Sequence, residues 1–196
     1  MTKRGPYRKG EAKRLEILQV ALQIFAEEGY RGTSLRKVAA RCGLSLPGIM
    51  HYFESKEDLL IQVLRMRDDV ERERRAEYRG LEDALATLGE GMRTPGLVEL
   101  FVSMAATAGD ASHPAHDFFP SRYATLREAV TRRVQEAMDA GRITSAVPAD
   151  RVAVLLLAVA DGIQLQWLSD RSIDMREPMA DVLGLLRPSP GEHVDT

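Results

Sequence analysis

A chain of 196 residues with 44% hydrophobic content is long enough for one ordinary core, or for a small module joined to a larger one. Its single cysteine, Cys42, excludes an internal disulfide framework, and nothing reads as a secretory leader or an uninterrupted apolar span, so a soluble, cytoplasmic protein without a membrane segment is expected. The formal net charge of −2 argues by itself against a polyanionic partner. Its distribution argues otherwise: residues 1–67 carry 13 Lys and Arg against 7 Asp and Glu, and the remainder carries 14 against 22. A basic front end attracts a polyanion that an acidic remainder repels, so only one end is expected to meet nucleic acid.

Apolar residues recur at three- and four-residue spacing in segments rich in Ala, Leu, Glu and Arg, which predicts an all-α chain of about nine helices. Residues 1–10 form a basic arm with Lys3, Arg4, Arg8 and Lys9 and no acidic residue, expected to lack order without a partner. The first helix is predicted from about Glu11 to Glu28, with Leu15, Leu18, Leu22 and Phe25 on one face and Gly29 as its stop. Thr33 or Ser34 then caps a short helix to about Arg41, Gly43 breaks it, and Ser45 caps another to about Tyr52. Ser55 heads a capping-box sequence that opens a long helix with a charged stretch from Arg65 to Arg79. Further helices are predicted over 81–91, 97–108, 115–140, 148–169 and 175–187, separated by Gly and Pro signals, before a tail at 188–196.

Residues 34–53 satisfy what a helix-turn-helix needs. Leu35, Val38 and Ala39 face inward, Gly43 permits the turn, Leu44 fills the junction, and Ile49 and Phe53 pin the second helix. A helical hairpin with no nucleic-acid role has the same outline. The residues that separate the two are Gly29-Tyr30, Thr33-Ser34-Leu35-Arg36-Lys37-Val38-Ala39, Gly43-Leu44-Ser45, His51-Tyr52-Phe53 and Ser55-Lys56-Glu57-Asp58-Leu59-Leu60, which together closely resemble the DNA-binding domain of the TetR family. The resemblance covers roughly the first third of the chain. Asp161-Gly162-Ile163-Gln164-Leu165-Gln166-Trp167 resembles a motif of BetI-like C-terminal domains.

The resemblance implies a DNA-binding domain at 11–54, a helical regulatory and dimerising domain at 55–187, and a ligand-responsive repressor that binds a palindromic double-stranded operator as a homodimer. It makes Ser45–Phe53 the recognition helix and Arg36 the best base contact. Leu46, Pro47, Gly48 and His51 fall on the exposed edge, where Pro47 or Leu46 is placed to touch a thymine methyl and His51 a base or phosphate. Thr33, Ser34, Tyr52 and Lys56 look like phosphate clamps, the helix starts at Ser34 and Ser45 aim backbone amides at anions, and Lys3, Arg4 and Arg8 are candidates for a minor groove. The sequence departs from the common family pattern at Leu46 and Met50, so direct readout is expected to be sparse and DNA shape to contribute.

In the acidic part, 148–169 is apolar nearly all round and is expected to pack inside its own subunit on one side and against a second copy on the other, through Val152, Leu156, Val159 and Ile163. Gly162 within it suggests close approach of another backbone or a ligand. Phe101, Met104, Phe118, Tyr123, Asp161, Gln164 and Trp167 are the candidates to line a pocket for a small, mostly apolar effector, with ordinary core packing the alternative for each. No phosphate-cradling loop, nucleophile motif or paired carboxylates point to an enzyme, no cofactor is implied, and His113 and His116 beside Asp117 lack the partners of a metal site. Cys42 is read as a small buried helix residue rather than a redox switch.

Overall fold

The computed structural model describes residues 5–29, 32–75, 80–81, 83 and 95–188. Among the described residues there is no strand, and eight helices are defined: α1 (Gly5–Glu28), α2 (Leu35–Arg41), α3 (Leu46–Met50), α4 (Lys56–Arg75), α5 (Pro95–Thr107), α6 (Ala115–Asp139), α7 (Ala149–Ser169) and α8 (Glu177–Leu185). Of the helix expected over 81–91, Leu81 and Asp83 are helical and Leu81 is buried; its other residues lie outside the described set. The tail is described only at Pro188.

Helix α1 begins at Gly5, ahead of the expected Glu11, so Gly5–Gly10 are not an irregular arm. The reason is local. Lys, Arg, Glu and Ala around Gly10 are good helix formers, and Pro6 falls in the first turn, where a backbone N–H has no intrahelical partner to lose. The buried stripe of α1 also differs from expectation: Ile17, Leu18, Ala21, Ile24 and Phe25 are inside and Leu15 is exposed.

The chain forms two compact units, one of residues 1–73 with 94–119 and one of residues 74–93 with 120–196. The packing unit that holds the helix-turn-helix therefore extends past the 11–54 segment that the motif marks. Its core joins the α1 stripe to Val38 and Ala39 of α2, Ile49 of α3, Phe53, and Leu59, Leu60 and Val63 of α4. Helix α5 enters this unit through Gly96, where an added Cβ would overlap the carbonyl oxygen of Phe25 and lie 2.8 Å from its carbonyl carbon. Only a residue without a side chain lets the start of α5 approach the α1 backbone so closely.

In the second unit α6 buries Leu126, Val130, Val134 and Ala137, α7 buries Val152, Ala153, Leu156, Leu157, Ala160 and Ile163, and α8 packs on α7 through Met179 and Leu183. The amide of Thr144 donates to the carbonyl of Leu186 at 2.7 Å, tying the α6–α7 connection to the end of α8. This arrangement corrects the expected dimer face. Val152, Leu156 and Ile163 belong to the subunit's own core and Val159 is half-buried, while Val154, Leu155 and Leu165 point outward at 50%, 57% and 58% exposure. A helix apolar on every side has no amphipathic direction, so its sequence does not say which stripe turns inward. Within the chain itself, a Cβ at Gly162 would meet nothing within 4 Å. Among the described helices α7 is the one long and apolar enough to cross a membrane, and it keeps one face in the core of its unit.

Candidate nucleic-acid interface

The turn between α2 and α3 is built by backbone chemistry that demands glycine. Gly43 has φ +65°, its amide donates to Ala40 O at 3.2 Å, and the next amide, of Leu44, reaches back to Ala39 O at 2.8 Å. These two bonds satisfy carbonyls orphaned at the end of α2 and swing the chain into α3. Each helix also has a serine cap: Ser34 Oγ accepts from Lys37 N at 3.3 Å and Ser45 Oγ from Gly48 N at 3.2 Å. Pro47 is tolerated because it lies in the first turn of α3.

Two cations of α1 brace this element from behind, which no sequence signal indicated. Lys13 Nζ donates to Cys42 O at 3.1 Å and Arg14 Nη1 to Tyr52 O at 3.2 Å, so the ends of α2 and α3 are each tethered to α1. The Arg14 guanidinium lies 5.0 Å from the Phe53 ring centre, adding a cation–π contact. Cys42 itself is buried, and burial pushes its thiol up in pKa, as befits a packed helix residue.

On the outer surface of α2 the three cations differ. Lys37 is paired with Glu28 and Arg41 with Glu27, the latter at 3.4 Å, whereas Arg36 is exposed and engages no other described residue. Arg36 is thus available to an incoming ligand without breaking an ion pair. From α3, Pro47, Met50 and His51 are exposed and Leu46 and Gly48 half-buried, while Ile49 and Phe53 are buried on the opposite side. His51 packs edge-on to Tyr52, ring centres 5.6 Å apart. Ser34 and Ser45 are exposed, and Tyr52 and Lys56 are half-buried.

Thr33 is a correction. It is 3% exposed and its hydroxyl donates to Gly29 O at 3.1 Å, so it closes the α1–α2 connection rather than reaching outward for a phosphate. Lys3 and Arg4 lie outside the described residues; Arg8 lies within α1, its side chain outside them. At the start of α4 the amide of Asp58 donates to Ser55 Oγ at 3.0 Å and Asp58 Oδ2 accepts from Glu54 N at 3.1 Å, a reciprocal cap that fixes the entry of the chain into α4.

Residues 17–63, which contain α2, α3 and both caps, match the model of the bacterial regulatory proteins of the tetR family. Over nearly its whole length the chain is also similar to the HTH-type transcriptional repressor AcnR of Corynebacterium diphtheriae, at 29% identity over 192 residues, 87% of this chain and 89% of that one. The segment 17–63 is a TetR-type helix-turn-helix domain. With that domain and this full-length similarity, the chain is a DNA-binding transcriptional regulator with an N-terminal helix-turn-helix and a helical C-terminal part. The HTH-type transcriptional regulator RutR of Escherichia coli is 42% identical over 59 residues, 30% of this chain and 28% of that one. A transcriptional regulator from Saccharomonospora viridis, solved in complex with choline, has the same fold, with a TM-score of 0.74 at 23% identity over 91% of this chain and 100% of that one.

The candidate effector residues fall in both units. Phe101, Met104 and Phe118 are buried in the first, where Phe119 stacks against Phe101 at 5.4 Å and Phe118 at 5.1 Å, and the Arg65 guanidinium sits 5.8 Å from the Phe118 ring centre. Tyr123, Asp161, Gln164 and Trp167 are in the second and half-buried. There Tyr123 bonds Asp161, Gln164 Nε2 donates to Ala160 O at 3.1 Å, and the Arg171 guanidinium covers the Trp167 ring at 3.7 Å. His113 Nδ1 accepts from Ala115 N at 3.1 Å and His116 Nδ1 meets Ala108 O at 3.0 Å, so both rings serve the connection from α5 to α6. An open groove of about 750 Å³ lies elsewhere, lined by Arg127, Glu128, Arg132 and Glu136 of α6 and by Asp150 and Val154 of α7.

Proposed function

We propose that this regulator is a repressor that binds an inverted-repeat operator as a homodimer through the outward face of α7 and releases it when a small effector binds in its helical C-terminal part. The observation that carries the reading is the pair of surfaces the fold leaves unused: a helix-turn-helix with an uncommitted Arg36, and the exposed apolar residues Val154, Leu155 and Leu165 on a helix whose other apolar face is core. One recognition helix covers only a few base pairs, so useful affinity needs two, and a twofold axis through a self-complementary apolar face supplies the second. The charged groove beside Val154 alternates Arg and Glu, which suits contact with a copy of itself around an apolar centre. Pairing also accounts for the apolar length of α7 without a membrane, in keeping with a cytoplasmic protein.

Repression is supported by the names of full-length relatives, and an effector by the choline bound to the structural neighbour. Arg36, Ser34, Ser45, Leu46, Pro47, Gly48, His51, Tyr52 and Lys56 are the proposed DNA contacts, with Lys3, Arg4 and Arg8 added from the N-terminal segment. The protein acts by binding rather than catalysis. Light scattering of the purified chain together with gel shifts on genomic fragments tests this: a dimer that shifts discrete fragments, and releases them with a ligand that also changes Trp167 emission, is expected. A monomer on the operator would overturn the dimer. Ligands that alter Trp167 emission but never operator affinity would overturn the effector.

A further inference from the structure

The outward surface of α3 has an unusual chemistry for a helix that reads base edges. Of its residues Leu46–Met50, none carries a side-chain hydrogen-bond donor or a strong acceptor, and the preceding Ser45 hydroxyl oxygen already accepts from Gly48 N. What α3 presents instead is apolar: Pro47 is exposed, Met50 is 51% exposed three residues on along the same stripe, and Leu46 is half-buried behind it. Arg36 of α2 and His51 at the end of α3 are exposed as well.

In a major groove guanine offers two acceptors, cytosine a donor and adenine one of each, while thymine alone adds a methyl group to its acceptor. An apolar side chain has nothing to exchange with the first three and buries surface against the fourth. We infer that this regulator selects its operator through thymine C5 methyl groups held against Met50 and Pro47, with Met50 the main determinant and Arg36 of α2 the polar anchor. This rests on the DNA-binding reading above and deepens it by naming what the recognition helix reads. Met50 suits the task because its unbranched, polarisable side chain adapts to a methyl at several positions.

The test uses the full-length chain and duplexes recovered by its own selection from a random pool, resynthesised with deoxyuridine in place of thymidine, which deletes the methyl and keeps every hydrogen-bonding group. Deoxyuridine within the half-sites is expected to weaken binding about fourfold for each methyl contacted, and the same change outside them to leave it unaltered. Met50→Ala should bind the thymidine duplex more weakly and lose most of the discrimination, while Met50→Leu retains it. Because Met50 is exposed, both variants are expected to melt like the parent. Equal affinity for thymidine and deoxyuridine half-sites, or undiminished discrimination in Met50→Ala, would overturn the inference while leaving DNA binding intact. If selection recovers no bound duplex at all, the DNA-binding reading falls first and this one with it.

Discussion

The Tyr123 hydroxyl donates to Asp161 Oδ2 at 2.6 Å, joining α6 to α7 inside the second unit. Burial is the largest influence on both groups: it raises the Asp161 carboxyl above its ordinary value of 3.8, against the lowering effects of the Tyr123 bond and the Arg122 charge, and it raises the Tyr123 phenol. A carboxyl raised in the fold binds its proton more tightly than in the unfolded chain. Stability is therefore lost as pH climbs from the ordinary value through the raised one, and stays reduced above it.

Asp161→Asn removes the charge that burial penalises and keeps an oxygen to accept from Tyr123, so at neutral pH this variant should be at least as stable as the parent and less sensitive to pH above about 4. Tyr123→Phe leaves a half-buried carboxylate without its donor and should cost about 1–3 kcal/mol. Urea denaturation of both variants across pH checks this, and equal losses at neutral pH would show that the bond matters only for packing.

On DNA, Arg36→Ala should cost about 1–3 kcal/mol on the selected operator and little on random sequence, whereas Lys56→Ala should weaken both and lower the salt slope by about one. Lys37→Ala should matter less than Arg36→Ala, because Lys37 is already paired with Glu28. Binding titrations at several salt concentrations distinguish these outcomes, and an equal loss on both DNAs for Arg36→Ala would make it a backbone contact.

Adjacent leucines of α7 offer a sharper test of assembly. Leu155 is 57% exposed and Leu156 is 1% exposed. Leu155→Glu is expected to give folded monomers with weakened operator binding, and Leu156→Glu to unfold the second unit, since an unpaired carboxylate in an apolar core costs several kcal/mol. Circular dichroism combined with light scattering reads both, and a Leu155→Glu dimer would move the interface off this face.

Two glycines should respond differently to alanine. At Gly43 a Cβ meets nothing within 4 Å, so the cost is the left-handed backbone alone, about 1 kcal/mol. At Gly96 the Cβ overlaps the Phe25 carbonyl, so α5 must separate from α1, and the loss in thermal melts should be clearly larger. Equal losses would mean that the α1–α5 approach relaxes without cost.

The sequence by itself determined the helices and the turn, because those are local matters. Apolar periodicity outlines α1 and α4–α8, Ser34 and Ser45 are cap residues by type, and Gly43 is where the chain needs a positive φ. The inner side of α3 was also legible through Ile49 and Phe53, but its outer edge was read only in part: Pro47 and His51 are exposed as expected, Leu46 and Gly48 are half-buried, and Met50 joins the exposed edge. Only the tertiary structure decided which stripe of α7 is core. Its residues are apolar in every direction, and the choice of Val152, Leu156 and Ile163 over Val154, Leu155 and Leu165 rests on what α6 and α8 leave uncovered. The same holds for charge: Lys37, Arg41, Lys13 and Arg14 are ordinary cations in the sequence, and their capture by Glu28, Glu27 and the carbonyls of Cys42 and Tyr52 follows from α1 lying beside the helix-turn-helix. Thr33 turned inward for a like reason, its hydroxyl reaching Gly29 O across a turn whose shape no single residue type dictates. Periodicity fixes what lies along one helix, while the partner of each side chain depends on how helices distant in sequence pack together.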